Sequence, residues 1–285
     1  WIFGIRQHNM NLMGKEHCFN MEKKKLKAVF GTTEWAVCNA NFLNGCSNDC
    51  KYCYSKEMAI RFKRKTPFNW KEEQLNEDAL NRKFTHKDGY IMFPSTHDIT
   101  PLHLSQAIIF LKSLLYNDND VLIVTKPNFE CIKTICDSFT SYKDHILFRF
   151  TVGSADSTVL KFWEPNAPSY EERRKSIIYA YDHGYKTSLS CEPMLDNNID
   201  AVINDLQDFV TDSIWLGKMN FVLRRLKANG NDDSKTLNAA NLILRWQSDN
   251  NIVRLYNRYK DNSKIKWKES IKKVDILDSD SKETA

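Results

Sequence analysis

The chain has 285 residues, and its 41 basic side chains against 36 acidic ones leave a formal net charge of +5. That excess permits a polyanionic partner without requiring one, and the interleaving of signs describes an ordinary solvated surface. A hydrophobic share of 42% is enough for one sizeable core, while no run of about 18 apolar residues occurs, so neither a membrane-spanning helix nor a membrane partner is expected.

Residues 1–30 read as an N-terminal extension or fragment edge with no assigned function. Arg6, His8, Asn9 and Asn11 interrupt it, so it lacks the apolar heart of a secretory signal. Three of the cysteines crowd into Cys46–Cys53, which suits a metal site in a reducing cytoplasm better than a disulfide framework.

From about residue 36, strand-like and helix-like segments alternate, the pattern of a parallel α/β sheet. Strands are expected over Val37–Leu43, Gly89–Phe93, Val121–Thr125, Ile146–Val152, Lys186–Cys191 and Ser213–Leu216. Thr100-Pro101 starts one helix, with proline where its missing N–H costs nothing. Ser169 and Glu172 read as a capping box, and Gly184 as the stop of the same helix, with His183 structural in its last turn. Ile199, Val202, Ile203, Leu206, Phe209 and Val210 form one apolar stripe at helical spacing.

Strand faces choose between a flat doubly wound sheet and a curled one. Asn39 and Asn41 share a face, as do Arg149 and Thr151, and Ser188, Ser190 and Glu192. A sheet covered on both sides should be apolar on both, whereas one repeatedly polar face suits a lumen that holds a ligand. The expected fold is therefore α/β: a partial (β/α)6 TIM-like barrel of parallel strands over residues 31–225. A helical extension follows over 226–277, with a helix expected over Asn238–Tyr259, and then a disordered tail over 278–285.

Gly45-Cys46-Ser47-Asn48-Asp49-Cys50-Lys51-Tyr52-Cys53-Tyr54 places thiols at i, i+4 and i+7 at the end of the first strand. A loop of this spacing can wrap one iron–sulfur cube, each sulfur on a different iron, leaving one iron open for a reactant. The competing metal is zinc, which needs a fourth ligand; Cys38 and His97 are the residues to consider. A non-catalytic zinc or iron–sulfur module that recognises a nucleic acid or a protein is thus the alternative function.

The ten-residue segment resembles the defining motif of the radical S-adenosylmethionine superfamily. Around it, Pro94-Ser95-Thr96-His97-Asp98-Ile99-Thr100-Pro101, Thr125-Lys126 and Glu164-Pro165-Asn166-Ala167-Pro168, the last followed by Glu171, Glu172 and Arg173, look like the spore photoproduct lyase and DNA repair photolyase-like branch. The resemblance implies a 4Fe–4S cluster on Cys46, Cys50 and Cys53 and S-adenosyl-L-methionine as second cofactor. It implies an external electron donor of flavodoxin or ferredoxin type, and a 5′-deoxyadenosyl radical that abstracts hydrogen from a substrate. Nucleic acid is favoured as substrate only through the branch.

It also places Tyr52 where an aromatic residue's backbone borders the adenine, and Ser95, Thr96 and Asp98 where a polar loop meets the methionyl amine. The Gly-Gly-Glu-Pro form of that loop is absent. Read from the residues alone, Ser95-Thr96 is equally a helix-leading turn and Asp98 equally a cap. Glu192 and Lys218, at strand ends, are candidates for cofactor contacts or for a structural ion pair. Arg149 faces the lumen and must meet a carboxylate or an anionic ligand. Cys191 is either a hydrogen-atom donor, as a cysteine is in related lyases, or a small buried hydrophobe. Cys131 and Cys136 share a helix with Phe129, Ile132 and Phe139, and core packing explains them. Trp163, Trp215, Trp246 and Trp267 read as core or as base-stacking platforms.

Overall fold

The computed structural model describes residues 31–274; the extension expected over 1–30 and the tail expected over 278–285 lie outside the described residues. The elements run β1 (Cys38–Asn39), β2 (Leu43–Asn44), α1 (Tyr54–Arg61), β3 (Gln74–Leu75), α2 (Glu77–Leu80), β4 (Ile91–Phe93), α3 (Leu104–Leu115), β5 (Val121–Thr125) and α4 (Phe129–Ser138). There follow β6 (Ile146–Thr151), α5 (Ser157–Trp163), α6 (Tyr170–Asp182), β7 (Lys186–Cys191), α7 (Ile199–Leu206), β8 (Ile214–Leu216), α8 (Val222–Ala228), α9 (Ser234–Trp246), α10 (Asp249–Tyr259), β9 (Ile265–Trp267) and α11 (Glu269–Lys272).

Seven strands form one sheet in the order β1-β4-β5-β6-β7-β8-β9, and every neighbouring pair is parallel. β2 and β3 make a separate antiparallel ribbon. The fold is α/β, a parallel sheet of partial-barrel type. Its curl follows from contacts between its two ends. In a flat sheet β1 and β9 would stand about 29 Å apart, six spacings of the ladder. Yet Lys268, just past β9, donates to Gly31 O at 3.0 Å and pairs with Glu34, a few residues before β1. Trp35 and Trp215 also meet edge to face, with ring centroids 5.6 Å apart.

The six strands expected from the sequence become seven. β9 lies inside the segment expected to be helical, and its neighbours Ile252, Leu255 and Ile271 share the core of the other strands. The first expected strand is split: Cys38–Asn39 pairs with β4, while Leu43–Asn44 turns away to pair with β3. The helix expected over Asn238–Tyr259 is two, with the break between Trp246 and Asp249. Ser169 caps α6 as expected, accepting from Glu172 N at 3.3 Å. The Glu172 carboxylate does not complete that box, because it accepts instead from Asn128 Nδ2 at 2.7 Å and Phe129 N at 3.1 Å at the start of α4. Gly184 takes the left-handed conformation at φ +77°. Among the described residues, no helix is long and apolar enough to cross a membrane.

Helix α6 also inserts a charge. Arg173 is fully buried, donating to Pro168 O at 2.9 Å and to Thr151 O, at the end of β6, at 3.1 Å. It pairs with Glu164, whose other oxygen accepts from the Tyr52 hydroxyl. Removing one partner of a buried pair leaves the other uncompensated, typically at about 3–5 kcal/mol. Arg173→Met is therefore expected to lower unfolding stability by about that amount in urea, and the double variant Glu164→Gln/Arg173→Met to recover part of it. Equal stability of wild type and Arg173→Met would contradict the pairing.

Candidate functional site

The connection that leaves β1 carries the cysteines to the C-terminal end of the sheet, where functional groups of β/α barrels gather. Gly45 starts the loop at φ +106°, and a Cβ there would lie 2.5 Å from Glu72 O and 2.7 Å from Trp70 O. Only glycine fits, for conformation and for space. Cys46 N donates to Trp70 O at 3.0 Å, Cys53 N to Cys50 O at 3.1 Å and Lys51 N to Trp163 O at 2.9 Å, while Ser47 N donates to Glu73 Oε1 at 2.9 Å. Asn229, from just beyond α8, donates to Lys51 O at 3.0 Å and Cys53 O at 2.9 Å. Cys53 is the N-cap of α1, its Sγ accepting from Lys56 N at 3.4 Å. That position favours a thiolate.

Asp98, after β4, sits among these groups. Its Oδ2 accepts from Asn48 Nδ2 at 2.9 Å and lies 3.9 Å from Cys46 Sγ. Its Oδ1 accepts from Thr125 Oγ1 at 2.9 Å and Lys126 N at 2.7 Å, and Lys126 Nζ stands 3.7 Å from Oδ2. Burial pushes this carboxyl up, but Lys126 and the donors outweigh it and hold the pKa below the usual carboxylate value. Burial likewise opposes the charge of Lys126, and Cys50, Asp98, Tyr52 and Glu164 reverse the effect, raising its pKa well above the usual lysine value. The three thiols are raised chiefly by burial. A metal that binds them must displace protons.

The three thiols are close enough to perturb one another electrostatically. Even so, among the described residues no group of three or more His, Cys, Asp or Glu gathers around a position for one ion. Three thiols on one loop can each meet a different iron of a polynuclear cluster. His97 is otherwise engaged, its Nε2 accepting from Phe42 N at 3.4 Å and its Nδ1 lying 3.0 Å from Asp98 O.

The structure gathers some of the sequence candidates and disperses others. Tyr52 is buried against Glu164, and burial, then Glu164, raises its phenol. Ser95 N and Thr96 N donate to Asn41 Oδ1 at 2.8 and 2.9 Å, and Ser95 Oγ accepts from Asn41 Nδ2 at 2.8 Å. Ser95 O accepts from the Tyr54 hydroxyl, which fixes this loop beside the start of α1. Tyr54 is 42% exposed, yet surrounding protein raises its phenol. Glu192 belongs to the same surroundings, perturbing Tyr54 and standing 3.4 Å from Lys268 Nζ; burial raises its carboxyl despite that lysine.

Arg149 and Lys218 are engaged elsewhere. Arg149 donates to Ser188 Oγ at 2.9 Å and Asp212 Oδ2 at 3.1 Å. Its guanidinium lies 4.8 Å from the Trp35 ring centroid and 5.4 Å from that of Trp215; burial lowers its pKa to about 10 against the pull of Asp212. Lys218 turns to Asp249 at 3.2 Å. Cys191 is fully buried within the core, and burial raises its thiol to about 12. Sequence reasoning missed Lys126 as a charge beside Cys50, and Asn48 and Asn229 as braces. The Thr125-Lys126 pair was legible, but nothing local marked Asn229.

No protein family matches the chain by sequence, and no curated protein does so either. Among solved structures, it is similar to a spore photoproduct lyase variant with dinucleoside spore photoproduct, with TM-score 0.49, 16% identity, and coverage of 70% of this chain and 62% of that one. A variant of the same lyase with bound AdoMet and the dinucleoside gives the same values, and a third variant has TM-score 0.48 at 16% identity. The matched region spans less than two thirds of the length of those lyase chains.

Asp98→Asn keeps the shape but places an amide where Asn48, Thr125 and Lys126 all donate. The expected loss, read by thermal unfolding of the metal-free protein, is about 1–3 kcal/mol; an unchanged midpoint would show that the carboxylate does not order the loop.

Proposed function

We propose that the chain is a radical S-adenosylmethionine enzyme whose Cys46, Cys50 and Cys53 hold a 4Fe–4S cluster by three corners. The observation that carries this reading is a trio of neighbouring thiols on one loop at the strand-end rim of a parallel half-barrel, Cys46 and Cys50 buried and Cys53 half-buried. When bound, such a cluster supplies one electron that splits the sulfonium of S-adenosylmethionine into methionine and a 5′-deoxyadenosyl radical, which takes a hydrogen atom from substrate.

The chain's own residues supply placement and charge. Lys126, beside Cys50 and Asp98, offsets the negative charge that three thiolates bring into a buried site. The Cys53 cap points its sulfur at the N-terminal end of α1. The Ser95–Thr96 turn, held by Asn41 and Tyr54, meets the methionyl end, and Tyr52 contributes backbone on the adenine side. Glu192 and Tyr54, close enough for the carboxylate to perturb the phenol, stand on the side where cofactor and substrate meet. Arg149 and Lys218 hold the fold, and Cys191 packs the core. Likeness of the 94–101 and 164–168 segments to the photoproduct lyase branch makes damaged nucleic acid the first substrate to offer. An external flavodoxin- or ferredoxin-type protein supplies the electron.

Anaerobic reconstitution with iron and sulfide should load about four irons per chain and give 5′-deoxyadenosine once reductant and S-adenosylmethionine are added. Cys50→Ala should fall to background in both iron content and product. A wild-type protein that takes up one zinc and no iron, or a Cys50→Ala protein with full iron, would overturn the assignment.

A further inference from the structure

Arg61-Phe62-Lys63-Arg64-Lys65 is the densest basic run among the described residues. It follows α1 and folds back over the cysteine loop. Arg64 N and Lys65 N donate to Ala59 O at 2.8 and 3.3 Å, and Lys65 Nζ donates to Glu72 O at 2.9 Å. Cys46, Ala59 and Trp70 pack as a small apolar cluster of their own, with Cys53 against it. On the α1 side of the loop, residues 61–71 are therefore the layer between the cysteines and solvent. The strand-end side is taken by Asp98 and Lys126.

The outer surface of that layer has a distinct make-up. Arg61, Lys63, Arg64 and Lys71 are exposed, and Glu72 is the one exposed acid between residues 61 and 73. Amid these charges stand two aromatic side chains in water, Phe62 at 58% exposure and Phe68 at 87%. The guanidinium groups of Arg61 and Arg64 lie 5.8 and 5.9 Å from the Phe62 ring centroid. Isolated exposed aromatics are ordinary, but Phe62 flanked by two guanidinium groups, with Phe68 exposed six residues on, sets apolar surface among positive charges. That is the anatomy of a transient encounter surface for an oppositely charged protein.

Resting on the radical reading above, we infer that this face is where an acidic one-electron carrier protein docks. The reaction consumes an electron that no residue of the chain supplies. The electron's way in should avoid the side that cofactor and substrate take, and the layer packed on Cys46 includes Trp70. In the transfer the carrier loses one electron, the cluster gains it, and no bond forms or breaks. A basic face also attracts nucleic acid, but this one lies on the α1 side of the cysteine loop, apart from the strand-end side of Asp98 and Lys126 where the proposed reaction takes its hydrogen.

The test uses the reconstituted protein and a flavodoxin as probe. Arg64→Glu/Lys71→Glu reverses two exposed charges, and Lys260→Glu/Lys266→Glu, at two exposed lysines before and on β9, controls for net charge. Flavodoxin binding at low salt, followed by fluorescence anisotropy, should weaken about tenfold or more in the first variant, with a flatter salt dependence, and hold in the control. Flavodoxin-driven 5′-deoxyadenosine should fall with binding, while dithionite-driven product stays at the wild-type level. Unchanged flavodoxin affinity with normal dithionite-driven product would overturn the docking proposal alone, as would an equal loss in the control variant. Tighter binding of a DNA oligonucleotide than of flavodoxin, lost in the first variant, would make the face a nucleic-acid surface instead. No product from iron-loaded wild type with dithionite would overturn the radical reading, and the docking proposal with it.

Discussion

Asp98 is a carboxylate set among three thiols and kept charged, and the geometry of the cysteine loop follows from how that charge is met. Its donors come from separate places: Asn48 from the loop itself, Thr125 and Lys126 from the end of β5. A buried carboxylate lacking them would protonate or leave the interior. With them in place, the β4 and β5 strand ends are locked to the segment that carries Cys46. The same arrangement sets Lys126 beside Cys50, so the group that satisfies the carboxylate also acts on the Cys50 thiol.

A second buried charge works from the other flank. Arg173 holds the end of β6 through Thr151 O and the turn before α6 through Pro168 O, while Glu164 passes the restraint to the Tyr52 hydroxyl. Tyr52 stands immediately before Cys53, so the last thiol is positioned by a helix more than a hundred residues downstream. The reactive loop is thus fixed by polar groups that lose much of their stabilisation if any partner is removed. A site that must hold three sulfurs in register gains order from such a network, at a cost in stability that a purely apolar packing would avoid.

Much of this was legible in the sequence, to different depths. The thiol spacing, the parallel strands and the polar inward face needed only local pattern, and the structure places Arg149 on Asp212, a carboxylate, as the burial argument required. β9 was not legible, because Ile265-Lys266-Trp267 is too short to show a period and lies among lysines and asparagines. Its pairing with β8 is a tertiary choice. Glu172 was half legible: its spacing from Ser169 marked a helix start, but which helix its carboxylate would cap depends on how α4 and α6 pack. Lys218 stood at a strand end and still turns outward, since Asp249 at the start of α10 offers it a partner that no local pattern reveals.

The brace supplied by Asn229 has a consequence in time. Its amide holds the carbonyls of Lys51 and Cys53, the latter 176 positions earlier in the chain. A ribosome adding about 5–20 residues per second needs on the order of ten to thirty seconds to cover that interval. The nascent cysteine loop therefore emerges well before this tether exists. Closure of the loop is thereby ordered by the direction of translation.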